Sequence, residues 1–102
     1  MKRMMVQYTV KADRVAENER LVTEVFGELK RRSPEGLRYA SYKLADGVSF
    51  VHLVSLETAD GSNPLSELPA FKTFTAQIRD RCTLAPVVSE LNEVGSYRFL
   101  DG

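Results

Sequence analysis

One histidine, His52, lies in the longest β-like run of the chain, Val48-Ser49-Phe50-Val51-His52-Leu53-Val54-Ser55-Leu56-Glu57. Imidazole is the side chain whose unperturbed pKa lets it exchange a proton near neutrality, so any acid–base chemistry starts here. A hydrolase would need a nucleophile and a group to orient the base. Ser41 and Ser55 are near in the strand pattern, but Ser55 points to the opposite face. There is no Gly-x-Ser-x-Gly elbow and no acid in place. A metal site on His52 would need carboxylates on the same strand face, and the pattern offers none. Gly47 and Gly61 are isolated turn glycines, not a phosphate-cradling loop. The single cysteine, Cys82, excludes an internal disulfide and a multi-cysteine metal centre, and reads as a buried helix residue. The remaining chemistry is that of an apolar pocket with few polar groups. In it a neutral His52 holds or deprotonates a phenolic or enolic ligand, helped by Tyr8 or Tyr39.

The elements that would position these groups follow from periodicity. Met5 to Lys11 alternates, with Val6, Tyr8 and Val10 on one face, and reads as a strand. Asp13 is placed as the N-cap of a helix carrying Val15, Val22, Val25, Phe26 and Leu29 at helical spacing to about Arg32. Lys30-Arg31-Arg32 suits the negative end of that helix. Ser33-Pro34-Glu35-Gly36 ends it, and Leu37 to Ala45 reads as a second strand.

Asp46-Gly47 is a strong hairpin signal and predicts a two-residue type I′ turn into the His52 run. Such a turn sets Lys43 opposite Phe50, Ser41 opposite His52 and Tyr39 opposite Val54. The His52 run itself is apolar on both parities, the mark of a central strand covered twice. After it, Asn63-Pro64 opens a second helical region. Leu65 and Leu68 begin it, Pro69 breaks or bends it, and Phe71, Phe74, Ile78 and Cys82 continue its stripe. Thr83 to Pro86 is placed as a loop and Val87 to Phe99 as an irregular last strand.

The totals fit this reading. At 102 residues, 43% hydrophobic and 27% charged, the chain supports one domain, 1–102, with a real core. A formal net charge of zero argues against nucleic acid and against anionic membrane surfaces as partners. The single cysteine fits a reducing compartment, so a cytoplasmic location is expected, and no apolar run reaches the length of a signal peptide core or a membrane span.

The order β-α-β-β-α-β predicts an α+β, ferredoxin-like domain: a four-stranded antiparallel sheet with both helices on one face. The bare face would carry Ala40, Tyr42, Leu44, Val51 and Leu53, too apolar for water. A homodimer packing two such sheets face to face covers it, so the expected partner is a second copy. The helix-side face supplies the candidate pocket: Val6, Ser41, Phe50, Val54, Leu56, Phe71, Phe74 and Ile78 around His52, Tyr8 and Tyr39.

In the first strand, Phe50 to Glu57, the segment Leu68-Pro69-Ala70-Phe71-Lys72-Thr73-Phe74 and the Val87-to-Tyr97 ending, the chain resembles the dimeric α+β barrel superfamily, nearest its antibiotic-biosynthesis-monooxygenase-like branch. That resemblance implies a homodimeric barrel and, for an enzyme, cofactor-independent oxygenation of an electron-rich aromatic or enol, with neither cofactor nor metal. Many members end the third strand with a glutamate and a tryptophan two residues apart, where this chain has Val54 and Leu56. The second helix often carries a histidine after a proline, where this chain has Ala70 after Pro69. With no tryptophan anywhere, haem degradation is not expected. His52 matches a position that holds a pocket-lining polar residue in the quinone-forming branch. Two readings stand: a small-molecule pocket, catalytic or not, and a non-catalytic structural or regulatory homodimer with His52 as a hydrogen-bonded core residue.

Overall fold

The computed structural model describes residues 1–99, so the last three positions of the 1–102 domain lie outside the described residues. These residues form β1 (Lys2–Val10), α1 (Val15–Arg32), β2 (Leu37–Lys43), β3 (Ser49–Leu56), α2 (Pro69–Ala76), α3 (Ile78–Arg81) and β4 (Cys82–Leu91). The sheet is antiparallel with order β2-β3-β1-β4, so β3 is central beside β1, as the βαββαβ pattern requires. The core lies between one sheet face and the helices. Tyr8, Val10, Phe50 and Val54 meet Leu21 and Val25 of α1, Phe74 of α2, and Leu65 and Leu68 ahead of α2.

The β2–β3 register is the one the hairpin dictates: Lys43 pairs with Phe50, Ser41 with His52 and Tyr39 with Val54. The turn differs in kind. Gly47 has φ +78° while Asp46 does not have a positive φ, so this is not a type I′ turn. The reason is the Asp46 carboxylate, which accepts from the amides of Val48 and Ser49 at 3.0 and 2.8 Å and from the Ser49 hydroxyl at 2.6 Å. That Asx-type closure favours ordinary φ at Asp46 and leaves the left-handed residue to glycine. Pairing parity is unchanged, so every side chain keeps its face.

Other boundaries move for identifiable reasons. Asp13 does not cap α1; it lies in a 3-10 turn, Ala12–Arg14, that leads into the helix. Asn63 does cap: its Oδ1 accepts from the Leu65 and Ser66 amides at 3.0 and 3.3 Å, ahead of the 3-10 turn Leu65–Glu67. Pro69 starts α2 instead of bending it, occupying the first turn where its missing N–H costs nothing. The Ala70 amide is satisfied from outside, by the buried Glu28 carboxylate of α1 at 2.9 Å. Helical structure ends before Cys82, which opens β4 opposite Val10. Thr83 to Pro86 belongs to β4, whose register shifts near Thr9 absorb the irregularity. The strand stops at Leu91 and not at Phe99.

Candidate functional site

Sheet geometry brings three ring side chains together. On β3, His52 stands directly opposite Val6 of β1 and Ser41 of β2. Tyr8 and Tyr39 are therefore its diagonal neighbours on the two flanking strands, at a separation long aromatic side chains can span. The Tyr8 hydroxyl lies 2.8 Å from Nε2 of His52, and the Tyr39 hydroxyl 2.5 Å from Nδ1. The Ser41 hydroxyl, at 3.5 Å from Nε2, is at the outer limit of a hydrogen bond. Tyr39 stacks on Phe26 of α1, with ring centroids 4.9 Å apart.

The cluster continues into the helix layer. Asn18 of α1, with no exposed surface, donates from Nδ2 to the Tyr8 hydroxyl at 2.9 Å. Its Oδ1 accepts from Nε of Arg81, 2% exposed, at 3.3 Å. The Arg81 guanidinium also donates to the Phe74 carbonyl at 2.7 Å and lies 5.3 Å from the centre of the Phe74 ring. Sequence reasoning missed both residues, although a signal existed. Asn18 sits three after Val15 and four before Val22, inside the apolar stripe of α1. Arg81 falls seven after Phe74, on the stripe of the second helical region. A polar residue in the middle of an apolar stripe calls for a buried partner.

The environment sets the protonation states. His52 is 3% exposed, and burial pushes its pKa down to about 4, so the ring is neutral near pH 7. Burial pushes Tyr8 up to about 12, against a smaller lowering by the Asn18 hydrogen bond and the Arg81 charge. Tyr39 is raised further, again by burial. Both phenols are therefore protonated donors.

Beside this cluster an open cavity of about 360 Å³ lies between the sheet and α2. Tyr8, Tyr39 and His52 contribute to its wall. Val6, Val54, Phe71, Phe74 and Ile78 line it, as the pattern suggests, and Leu65, Pro86 and Val88 also contribute. Thr75 and Arg79 add polar groups from the helical side. Three candidate pocket residues fall elsewhere. Ser41 and Phe50 border a separate groove along the middle of α1, because that end of the β2–β3 hairpin runs under α1 and not α2. Leu56, at the end of β3, packs against the core cluster.

The candidate interface residues Ala40, Tyr42, Val51 and Leu53 lie on the opposite sheet face, where Ala40 pairs with Leu53 and Tyr42 with Val51. Leu44 lies past the end of β2. Cys82 is partly buried, and burial raises its thiol pKa, so it is not an activated thiolate. Among the described residues, no group of three or more His, Cys, Asp or Glu side chains could hold a metal ion, and no helix is long and apolar enough to cross a membrane.

No protein family profile matches the sequence, and no curated protein matches it. Solved structures do match. An antibiotic biosynthesis monooxygenase superposes with a TM-score of 0.75 at 16% identity, covering 93% of this chain and 100% of the other. Rv0793 from Mycobacterium tuberculosis gives 0.75 at 18% identity over 93% and 96% of the two chains. A mutant of SnoaB, a cofactor-independent oxygenase from Streptomyces nogalater, gives 0.69 at 15% identity over 95% and 96%. The chain thus has the α+β, ferredoxin-like fold of the antibiotic-biosynthesis-monooxygenase-like structures.

Proposed function

We propose that the cavity beneath α2 binds a small hydroxylated aromatic or enolic molecule, and that the protein oxygenates it with dioxygen as co-reactant and without metal or organic cofactor. The observation that carries this reading is the polar cluster Tyr8–His52–Tyr39 at the wall of an otherwise apolar, solvent-open cavity of about 360 Å³. That is the usual form of a small-molecule site: apolar walls for affinity, few polar groups for orientation. The likeness to a cofactor-independent oxygenase supports the reaction class through the fold alone.

For a phenol the step balances as follows. The ring gives up its O–H hydrogen and one C–H hydrogen, and dioxygen accepts four electrons. One oxygen atom becomes the new quinone carbonyl and the other leaves as water with both hydrogens. The protein's part is to hold the ring, favour its anionic form and keep water away. With its conjugate acid near 4, His52 is a poor proton acceptor at neutral pH, so the ligand's own acidity must supply most of the ionisation.

The protein is proposed to act as a homodimer through the sheet face opposite the helices. Cross-strand pairing builds two rows there, Ala40–Leu53–Met5–Ser89 and Tyr42–Val51–Gln7–Val87. Tyr42 and Val87 are 52% and 63% exposed. A specific observation favours a second reading, a non-catalytic dimer: both nitrogens of His52 are already bonded to protein.

Thermal-shift screening with hydroxynaphthalenes, anthrones and simple phenols, followed by oxygen-electrode assays on the hits, separates the two. A stabilising hit that also consumes dioxygen supports the oxygenase. Stabilisation without oxygen uptake leaves a binding protein, and no shift from any compound supports the non-catalytic dimer.

A further inference from the structure

We propose that Arg81 and Asn18 are positioning residues that fix the direction of the hydrogen-bond chain, so that Tyr39 presents its hydroxyl proton to the cavity and the ligand is held as an anion, a phenolate or enolate. This rests on the cavity being the ligand site, and it adds which protonation state that site selects.

The direction follows from one group that cannot act as an acceptor. Arginine carries donors only. Arg81 Nε, 3.3 Å from Asn18 Oδ1, therefore fixes which way the Asn18 amide faces and puts Nδ2 against Tyr8, 2.9 Å away. The Tyr8 oxygen accepts there, so its own proton goes to Nε2 of His52 across 2.8 Å. A neutral imidazole that accepts at Nε2 carries its proton on Nδ1. That N–H donates to the Tyr39 oxygen. The Tyr39 proton is then not used by His52. No other side chain or backbone group among the described residues accepts it, and Tyr39 lines the cavity. Five groups in a row thus point their donors the same way, from α3 to the cavity. Aligned hydrogen bonds in a low-dielectric interior polarise one another.

Charge supplies an independent reason. Arg81 is 2% exposed and, among the described residues, forms no ion pair. The Glu17 carboxylate is near enough to feel this charge but is bonded to Arg14, so Arg81 has no directly bonded anion, and a further anion relieves the cost of burying it. The chain leads from this cation to the cavity, and the Arg79 side chain adds a second cation to the cavity lining. The cavity is therefore complementary to negative charge on a ligand oxygen, as an oxyanion site is.

The test reads the His52 tautomer in the ligand-free protein. Because the chain has one histidine, its imidazole ¹⁵N signals need no assignment. The expected state is Nδ1–H; an Nε2–H ring overturns the proposal. Asn18→Asp replaces the amide donor with an acceptor. Tyr8 then turns its proton to Asp, His52 must donate from Nε2, and the Tyr39 proton turns inward. The variant is expected to invert the tautomer, which mere loosening of the core would not do. An unchanged tautomer in folded Asn18→Asp overturns the relay.

The ligand clause uses 4-nitrophenol, whose phenolate is coloured and whose neutral form is not. The wild type is expected to bind it as the phenolate. Tyr39→Phe, which removes the terminal donor and keeps the chain behind it, should weaken that binding by about tenfold or more. Binding as the neutral phenol, or Tyr39→Phe binding phenolate as tightly as wild type, overturns the anion clause. Failure of either form to bind sinks the cavity reading and the anion clause with it, while the tautomer still decides the direction of the chain.

Discussion

The Asn18 amide on α1 donates a 2.9 Å hydrogen bond to the Tyr8 hydroxyl on β1, fastening the polar cluster to the helix layer as well as to the sheet. His52 is thereby both a stability element and the centre of a candidate site. The two roles make different predictions.

As a stability element, His52 should be costly to remove. His52→Ala leaves the Tyr8 and Tyr39 hydroxyls facing a void in a site that is 3% exposed. Lost packing together with the loss of both hydrogen bonds to the ring, with Tyr8 keeping only its bond from Asn18, is expected to destabilise the fold by about 3 kcal/mol. His52→Gln, which retains one donor and one acceptor, should cost about half of that. Urea unfolding of the three proteins measures it, and a His52→Ala loss within the error of the fit would contradict a tightly made cluster.

The depressed His52 pKa carries a pH dependence with a definite sign. Folded His52 titrates near 4 and an unfolded histidine near 6.5, so between these values the unfolded chain binds the extra proton. Stability is then fully present above about pH 6.5 and falls as pH drops toward 4, by up to about 3 kcal/mol. Glu17, Asp46, Glu57 and Asp60 also have lowered pKa values, chiefly through hydrogen bonds, and add their own loss below the usual carboxylate range. His52→Gln should keep that lower loss and flatten the curve between pH 6.5 and 4. Equal slopes there in the two proteins would refute the depressed pKa.

Backbone geometry gives a contrast at two glycines. Gly36 has φ +76°, and a Cβ there would meet Thr58 at 2.7 Å from Cγ2 and 2.9 Å from Cα. Gly47 has φ +78° but open space around it. Gly36→Ala combines strain with a clash against the Thr58 backbone, beside the hydrogen bond that the Glu57 amide donates to the Gly36 carbonyl. It should cost about 3 kcal/mol, against about 1 kcal/mol for Gly47→Ala, where strain acts alone. Thermal unfolding of the two variants ranks them, and the reverse order would contradict the packing of the β2 entry against Thr58.

These residues also show what a sequence can carry. The face shared by Tyr39, Ser41 and His52 was legible because strand period and pairing parity are local, and Asp46-Gly47 sets that parity whichever turn type forms. The cap at Asn63 was legible for the same reason. Arg81 was legible only as a polar residue at an apolar spacing; its burial and partner were not, because they depend on the break at Gln77, where φ −132° and ψ 29° interrupt the helix, and on Asn18, which is 63 positions away in sequence. Glu28 lies three after Val25, beside the apolar stripe of α1, but its charge alone reads as solvent-facing. Its role as a cap for a different helix is tertiary and leaves no local trace. Ser41 and Phe50 were assigned to the pocket because they share the correct sheet face, but which helix covers a given stretch of that face depends on how the helices lie across it.

The sheet face opposite the helices yields the last prediction. On its central strands Leu53 pairs with Ala40 on one side and Met5 on the other, so its side chain stands near the middle of the apolar rows. An exposed patch of this kind normally meets another surface, and a second copy of the same sheet is self-complementary to it. Sedimentation at micromolar concentration should therefore show a dimer. Leu53→Lys buries an unpaired ammonium in that interface while leaving the helix-side core and His52 untouched. The variant should shift to monomer, with Kd raised by about a hundredfold or more, yet keep its secondary structure. A monomeric wild type would remove the reason for the patch, and a dimeric Leu53→Lys would place the interface elsewhere.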